Sequence, residues 1–541
     1  MKKITFCSVL FGSLILSGCN FALDEKEAVS PKPENYAYIQ PTETRNLVYS
    51  SETEIFALDA ATKSVTISGD IAGKTIYYAQ VNKNNSYPLS KDYVRYVSNA
   101  SSQRSAIAIQ ELEDADVDSQ DEHLHNAYEF HPDFLPETAR ASSYITPSSK
   151  THLTYNVGTT KKVVNVLSKN SAYVRKTTTL WAYNDVCNVW VVDNDPYITS
   201  IEKSVIAKNY AKRFKEIYPM IRKVFGEESD SIYSSVWGNK APLNNVSDTG
   251  TKVNIVICDL YDDGMNGHTV GLFSSMDYYM NGLEFSNITI QNSNEGKYFY
   301  IDTCFAVKKF NLTISTLAHE FQHMINFGMK AMNGIFIDSN FNEMLSMLCE
   351  DMMQKYLGIK DADSPKARLS QFLNQYYQTG FRSFESTTLS YANAYTLGAW
   401  ISRQFGGAGL IHEMMINGLA NNDCIINAVN KVNGTNYTFD EIFSQFVMAC
   451  LGENEYSFNK NAAQTIHYNA NGVSYDYPMA AIYLGRPTIS RNEFTSRLSN
   501  GYGLFIKTYM TVSNDDSSVT MNFDTLSGMT NTGMTTYIYI K

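Results

Sequence analysis

Beyond its N-terminal stretch the 541-residue chain has no run of about 18 unbroken apolar residues, so no later segment reads as a membrane-spanning helix. Basic charge is in deficit: 44 Lys and Arg stand against 55 Asp and Glu, a formal net charge of −11. That sign argues against nucleic acid and against electrostatic attachment to anionic membranes. No C-x-x-C pair occurs, which removes the common cysteine-based zinc patterns. No segment repeats at a fixed period, so a solenoid or propeller is excluded as a reading. Charged residues make up only 18% against 44% hydrophobic, a balance that suits a folded protein. The length exceeds one ordinary core, so two to four domains are expected. Tyrosine is plentiful at 37 residues, with much Asn, Ser and Thr, as in exported β-rich surface proteins.

The N-terminus carries an address. "MKK" is a positive start, "ITFCSVLFGSLIL" a short apolar run, and the run ends in Leu16-Ser17-Gly18-Cys19. This looks like a bacterial lipobox, in which the cysteine is diacylated and becomes the mature N-terminus. Residues 1–18 are then a signal peptide and Cys19 the lipid anchor, with export to the outer membrane or cell surface. Cys7 leaves with the signal. The other six cysteines, Cys187, Cys258, Cys304, Cys349, Cys424 and Cys450, are widely spaced and mostly in apolar runs; buried free thiols are the plain reading, and disulfides, open to an exported protein, cannot be paired from sequence.

Residues 19–48 are polar and aperiodic, a tether. Residues 49–98 alternate as strands do and form a β-rich module. Residues 99–148 are acidic and polar, a linker or insertion. It contains His123, His125 and His131 beside Glu122, which could chelate, but no scaffold fixes them and a solvated linker is the better reading. From 149 to 452 strand patterns ("KKVVNVL", "VCNVWVVDND", "KVNIVICDL", "GKYFYIDTCFAV") accompany helical ones. The first helical stretch follows Pro196, with Ile201, Val205, Ile206, Tyr210, Phe214, Ile217 and Ile221 at helical spacing and Gly226 as its stop. Residues 453–541 return to strands. This order predicts an α+β core flanked by β-rich segments.

The stretch "NLTISTLAHEFQHMINFG" reads as a helix started by Ser, Thr or Asn and ended at Gly328. Residues four apart differ by about 40° on a helix, so His319 and His323 can share a metal ion. Glu320 lies about 100° from His319, beside such an ion, where a base for an activated water belongs. A catalytic zinc takes three protein ligands and keeps a position open. Glu343, in "FNEMLSMLCED", comes 20 residues after His323, enough for a turn and a second helix that returns to the first.

H-E-x-x-H followed by N-E at that step resembles the thermolysin-like gluzincins. With "YIDT" upstream, the stretch Tyr300 to Asp351 is similar to the hyicolysin family of bacterial metallopeptidases. The resemblance covers about residues 150–450. It implies a zincin-like core over 149–452, with a mixed sheet, an active-site helix and a helical lower subdomain. It also implies one zinc ion held by His319, His323 and Glu343, Glu320 as general base and acid, and hydrolysis of protein or peptide substrates. The chain departs from the thermolysin pattern at Met347, where an aspartate would orient a zinc histidine. Glu350, Asp351 or a backbone carbonyl must take that role. For the oxyanion the resemblance favours Tyr391, at the tyrosine-rich start of a helix that also holds Tyr395; His268 is the other candidate. Asp259, Asp262, Asp263 and Asn266 could bind calcium, but their spacing is not that of an EF-hand, and a polar surface loop is preferred. The competing function is a surface lipoprotein that uses the same fold for binding or adhesion with little or no catalysis. The sequence does not set an oligomeric state.

Overall fold

The computed structural model describes residues 38–39, 43–50, 55–59, 61–83, 145–169, 172–235, 238–267, 269–285, 288–335, 337–384, 388–452, 465–470, 473–479, 482, 487, 499–522, 530–531 and 533–541. Cys19, the tether up to residue 37, the three linker histidines and His268 lie outside the described residues.

The fold is α+β, centred on a mixed sheet of six strands: β1 (Lys161–Leu167), β2 (Tyr173–Tyr183), β3 (Cys187–Val192), β4 (Val253–Cys258), β5 (Gly271–Phe273) and β6 (Lys297–Asp302). Their spatial order is β5-β6-β4-β3-β2-β1. Strands β3, β4 and β6 run parallel; β1 and β2 join by antiparallel pairing, and β5 closes the other edge antiparallel to β6. Every residue of β3, β4 and β6 is buried, which is why "CNVWVV" and "VNIVIC" read as almost continuous apolar runs. Alternate residues serve two cores. Val189, Ile255 and Phe299 face the helices, while Trp190, Val256 and Tyr298 pack on the other side.

Helix α1 (Ser200–Phe225) opens with a capping box between Thr199 and Glu202 and stops at Gly226. Its buried face runs from Ile206 through Tyr210, Phe214, Ile217 and Ile221. Ile201 and Val205, expected on that face, are 77% and 53% exposed. They lie on the side turned away from the sheet, where helical spacing alone cannot distinguish them. The stretch "GKYFYIDTCFAV" is strand only as far as Asp302. There the Asp302 carboxylate accepts the N–H groups of Cys304 and Phe305 and starts the helix Thr303–Lys308.

Helix α2 (Phe310–Met329) carries the two histidines, α3 (Ser339–Leu357) carries Glu343, and α4 (Thr388–Phe405) begins near Tyr391. The start of α2 differs from expectation: Lys309 occupies the cap, without a side-chain hydrogen bond. Gly328 does not stop the helix but lies inside it. A Cβ there would come within 2.8 Å of the Ser229 backbone nitrogen, so glycine is needed for close packing. Helices Gly407–Ile416, Asn421–Asn433 and Phe439–Leu451 complete the helical part.

The β-rich ends, 49–98 and 453–541, do not stand apart in the structure. Strand Thr75–Asn82 pairs with Gly503–Thr511 on one side and Met534–Ile540 on the other, and Thr62–Gly69 pairs with Ser518–Asn522. Val65, Ile67, Ile76, Met521 and Ile538 share one core. Neither end could bury its apolar face alone, so the two complete each other across the whole chain. The hairpin Thr465–Ala470 and Val473–Pro478 belongs elsewhere, with the helices: the Tyr475 ring stacks on His412 at 4.4 Å and its hydroxyl lies 2.9 Å from His412 Nε2. Cys187, Cys258, Cys304, Cys349, Cys424 and Cys450 are buried and free.

Candidate metal centre

Three donors converge between α2 and α3. His319 and His323 are four residues apart on α2 and their rings lie 4.7 Å apart. Glu343 Oε2 is 3.1 Å from His319 Nε2 and 3.6 Å from His323 Nε2. Ligand atoms of all three lie within 4.8 Å of one another, in a buried setting.

The outer nitrogens explain why the inner ones face each other. His319 Nδ1 lies 2.7 Å from Glu350 Oε1, and the other oxygen of Glu350 accepts the Ser315 hydroxyl at 2.6 Å. A carboxylate only accepts, so Nδ1 carries a hydrogen, and Nε2 is the atom turned to the centre, where it meets the Glu343 carboxylate. His323 Nδ1 lies 3.1 Å from Asn342 Oδ1 and 2.9 Å from Ser346 Oγ. Asn342 Oδ1 also takes the Asn326 amide at 2.6 Å, and Ser346 donates to Gln322 at 2.5 Å. Both groups are thereby oriented as acceptors for His323, which frees Nε2. That nitrogen is buried and, among the described residues, has no hydrogen-bond partner.

Of the three candidates to replace the aspartate absent at Met347, Glu350 takes the position on His319. Two helical turns separate it from Glu343, and the tilt of α3 against α2 brings it under the first histidine. Met347 itself is fully buried in the core. Asp351 turns the other way, to Arg403 at 2.8 Å and the Tyr395 hydroxyl at 3.0 Å. Tyr395 is therefore tied behind the centre.

Glu320 sits beside the donors, fully buried, and accepts a hydrogen bond from the backbone N–H of Phe273 on β5. Burial, with Glu343 and Glu350 adding to it, pushes its carboxyl up to about 8 against the opposing charge of His319. The approach of β5 depends on Gly271: a Cβ there would stand 2.5 Å from Thr316 Cγ2 and 2.9 Å from Glu320 Oε1. Burial lowers His319, but its hydrogen bonds to Glu343 and Glu350 outweigh that and carry it upward. Glu343 moves down despite its burial, through the charge of His323 and the hydrogen bonds of both imidazoles. The pocket thus favours positive charge at the point the three donors share.

Tyr391, near the start of α4, is 1% exposed and hydrogen-bonds Glu343. Burial and the nearby carboxylates hold its hydroxyl well above its ordinary range, so it remains a donor. The acidic loop gathers a different set from the one expected. Asp259 and Asp263 meet Asp302, while Asp262 turns to Ser168 and Lys176. Asp302 is filled by three backbone N–H groups and Asp259 by two, an arrangement that closes the loop. Asn342 and Ser346 could have been read from sequence, since they are four apart on the helix that carries Glu343. The Phe273 N–H could not, because a strand remote in sequence delivers it.

A family model described as peptidase M30 matches residues 167–486. The chain is also similar to the neutral metalloprotease ShpI of Staphylococcus hyicus, with 27% identity over 276 residues, 48% of this chain and 56% of that relative. The chain therefore spans little more than half the length of the relative it matches.

Proposed function

Because the chain belongs to the peptidase M30 family, we propose that it is a zinc-dependent endopeptidase, held at the bacterial cell envelope by lipid on Cys19. The observation that carries the catalytic part is the convergence of two imidazole nitrogens and one carboxylate oxygen, with His323 Nε2 buried and otherwise unpartnered among the described residues. This N,N,O set fits zinc. His319, His323 and Glu343 would hold the ion, which when bound supplies a Lewis acid that acidifies water and polarises a carbonyl.

The rest falls to the chain. Glu320 takes a proton from the attacking water as the new C–O bond forms. It returns that proton to the amine nitrogen as the C–N bond breaks. The Phe273 N–H holds the carboxylate for both transfers. Tyr391 donates its hydroxyl hydrogen to the oxygen that gains charge. Strand β5 is the last strand of its sheet, and an extended peptide can pair along such an edge. Glu350, Asn342 and Ser346 keep the imidazoles turned.

The test is metal analysis of the purified protein, with casein hydrolysis before and after chelation. Zinc-free protein, or hydrolysis that a chelator leaves untouched, would sink the reading. The anchor is checked by detergent-phase partition, which Cys19→Ser should abolish. Among the described residues no helix is long and apolar enough to cross a membrane. Glu350→Ala should weaken zinc binding by about 10–100-fold in chelator competition, because His319 loses the partner that orients it. Wild-type affinity in that variant would show that the imidazole is held by something else.

A further inference from the structure

Tyr391 has a cation over its ring. The guanidinium carbon of Arg368 lies 4.9 Å from the ring centroid, and Phe384 meets the same ring edge-on at 5.1 Å. Arg368 is only 7% exposed. It ends the short turn Pro365–Arg368, whose start is fastened by the Ser364 side chain accepting the Lys366 N–H.

A buried guanidinium is costly unless something balances it. The Tyr391 ring lies against it, and the Tyr391 hydroxyl meets the buried Glu343. Arg368 brings positive charge to the ring of Tyr391. A planar cation over the ring face restricts how the phenol can rotate, and it draws electron density from the hydroxyl.

We propose that Arg368 is a positioning residue for the peptidase reaction, stacking on Tyr391 so that the phenol hydroxyl is held ready to donate to the developing oxyanion. The inference rests on the proposed function. Arg368 acts through Tyr391 and does not itself touch substrate.

The test uses the zinc-loaded full protein in five forms: wild type, Arg368→Met, Arg368→Lys, Tyr391→Phe and the Met/Phe double variant. Tyr391→Phe should lower kcat by about 10²-fold. Arg368→Met should lower kcat by about tenfold, with KM within about twofold and zinc content unchanged. Arg368→Lys should restore part of that loss, since a cation returns over the ring without the guanidinium plane. The double variant should be no slower than Tyr391→Phe alone, because Arg368 has nothing left to position. Binding of a phosphonamidate peptide, a tetrahedral anion, should weaken by about tenfold in Arg368→Met.

Multiplying losses in the double variant would overturn the inference. So would an Arg368→Met effect confined to KM, a lysine variant as slow as the methionine one, or unchanged phosphonamidate affinity. A wild-type protein that binds zinc but cleaves nothing would instead overturn the proposed function. The phosphonamidate measurement then decides the role of Arg368 without turnover.

Discussion

Glu320→Gln should keep its zinc and lose casein hydrolysis by about 10³-fold or more. The two halves of that result separate a base from a ligand. Glu320 lies one residue after His319 on α2, turned toward β5, where the Phe273 N–H holds it. Glutamine preserves the size and can still accept that hydrogen bond, so α2 and β5 should remain packed across Gly271. What it cannot do is take a proton from water and return one to the leaving amine. Metal content equal to wild type, with kcat reduced and thermal unfolding little changed, is the expected pattern. Hydrolysis surviving at more than a few per cent would remove Glu320 from the mechanism.

Glu343→Ala should behave differently: zinc affinity falls by about 10²–10³-fold and activity at limiting zinc disappears. The magnitude follows if binding of roughly 10–16 kcal/mol is shared among a few ligands, so that one of them accounts for several kcal/mol. The geometry gives a further reason. Glu343 Oε2 is the atom both imidazoles approach, at 3.1 and 3.6 Å, and the same carboxylate also receives the Tyr391 hydroxyl. Removing the carboxylate leaves His319 and Tyr391 without an acceptor, and it takes away the negative charge that favours a cation. Zinc titration against a chelator is the measurement. Affinity within threefold of wild type would mean that the third ligand lies elsewhere, and the N-E step would lose its meaning in this chain.

The two predictions differ in how much of each was visible beforehand. The pair His319 and His323 could be assigned to one side of one helix from spacing, because helical geometry is local and repeats every few residues. The place of Glu320 follows from the same arithmetic. The step from His323 to Glu343 is a weaker inference, since it requires a turn to bring a second helix back. The family resemblance supplied the role there, and the structure supplies the distances. The role left open by Met347 could only be narrowed to a few groups. Glu350 lies two turns beyond Glu343 on α3, yet the packing of α3 against α2 sets it 2.7 Å from His319 Nδ1. An axial distance within one helix says little about contacts with another helix that crosses it.

Elsewhere the limits were of the same kind. Helix α1 was readable from Ile206 onward, whereas Ile201 and Val205 were assigned to a face that points to solvent. The strand at "YID" was readable, whereas its conversion to helix at Asp302 depended on a side chain capping N–H groups two and three residues ahead.

Sequence by itself determined the chemistry available: which residue types occur, and at what helical spacing. Those properties are short-range, and backbone geometry carries them. Tertiary structure alone decided which partners complete them. The strands before residue 83 pair with strands after residue 503. Phe273 reaches Glu320 from the edge of a sheet, and Arg368 lies over Tyr391 from a separate turn. None of these meetings has a period or a fixed offset in sequence. They exist because apolar faces with no local partner must be buried against whatever the rest of the chain brings to them.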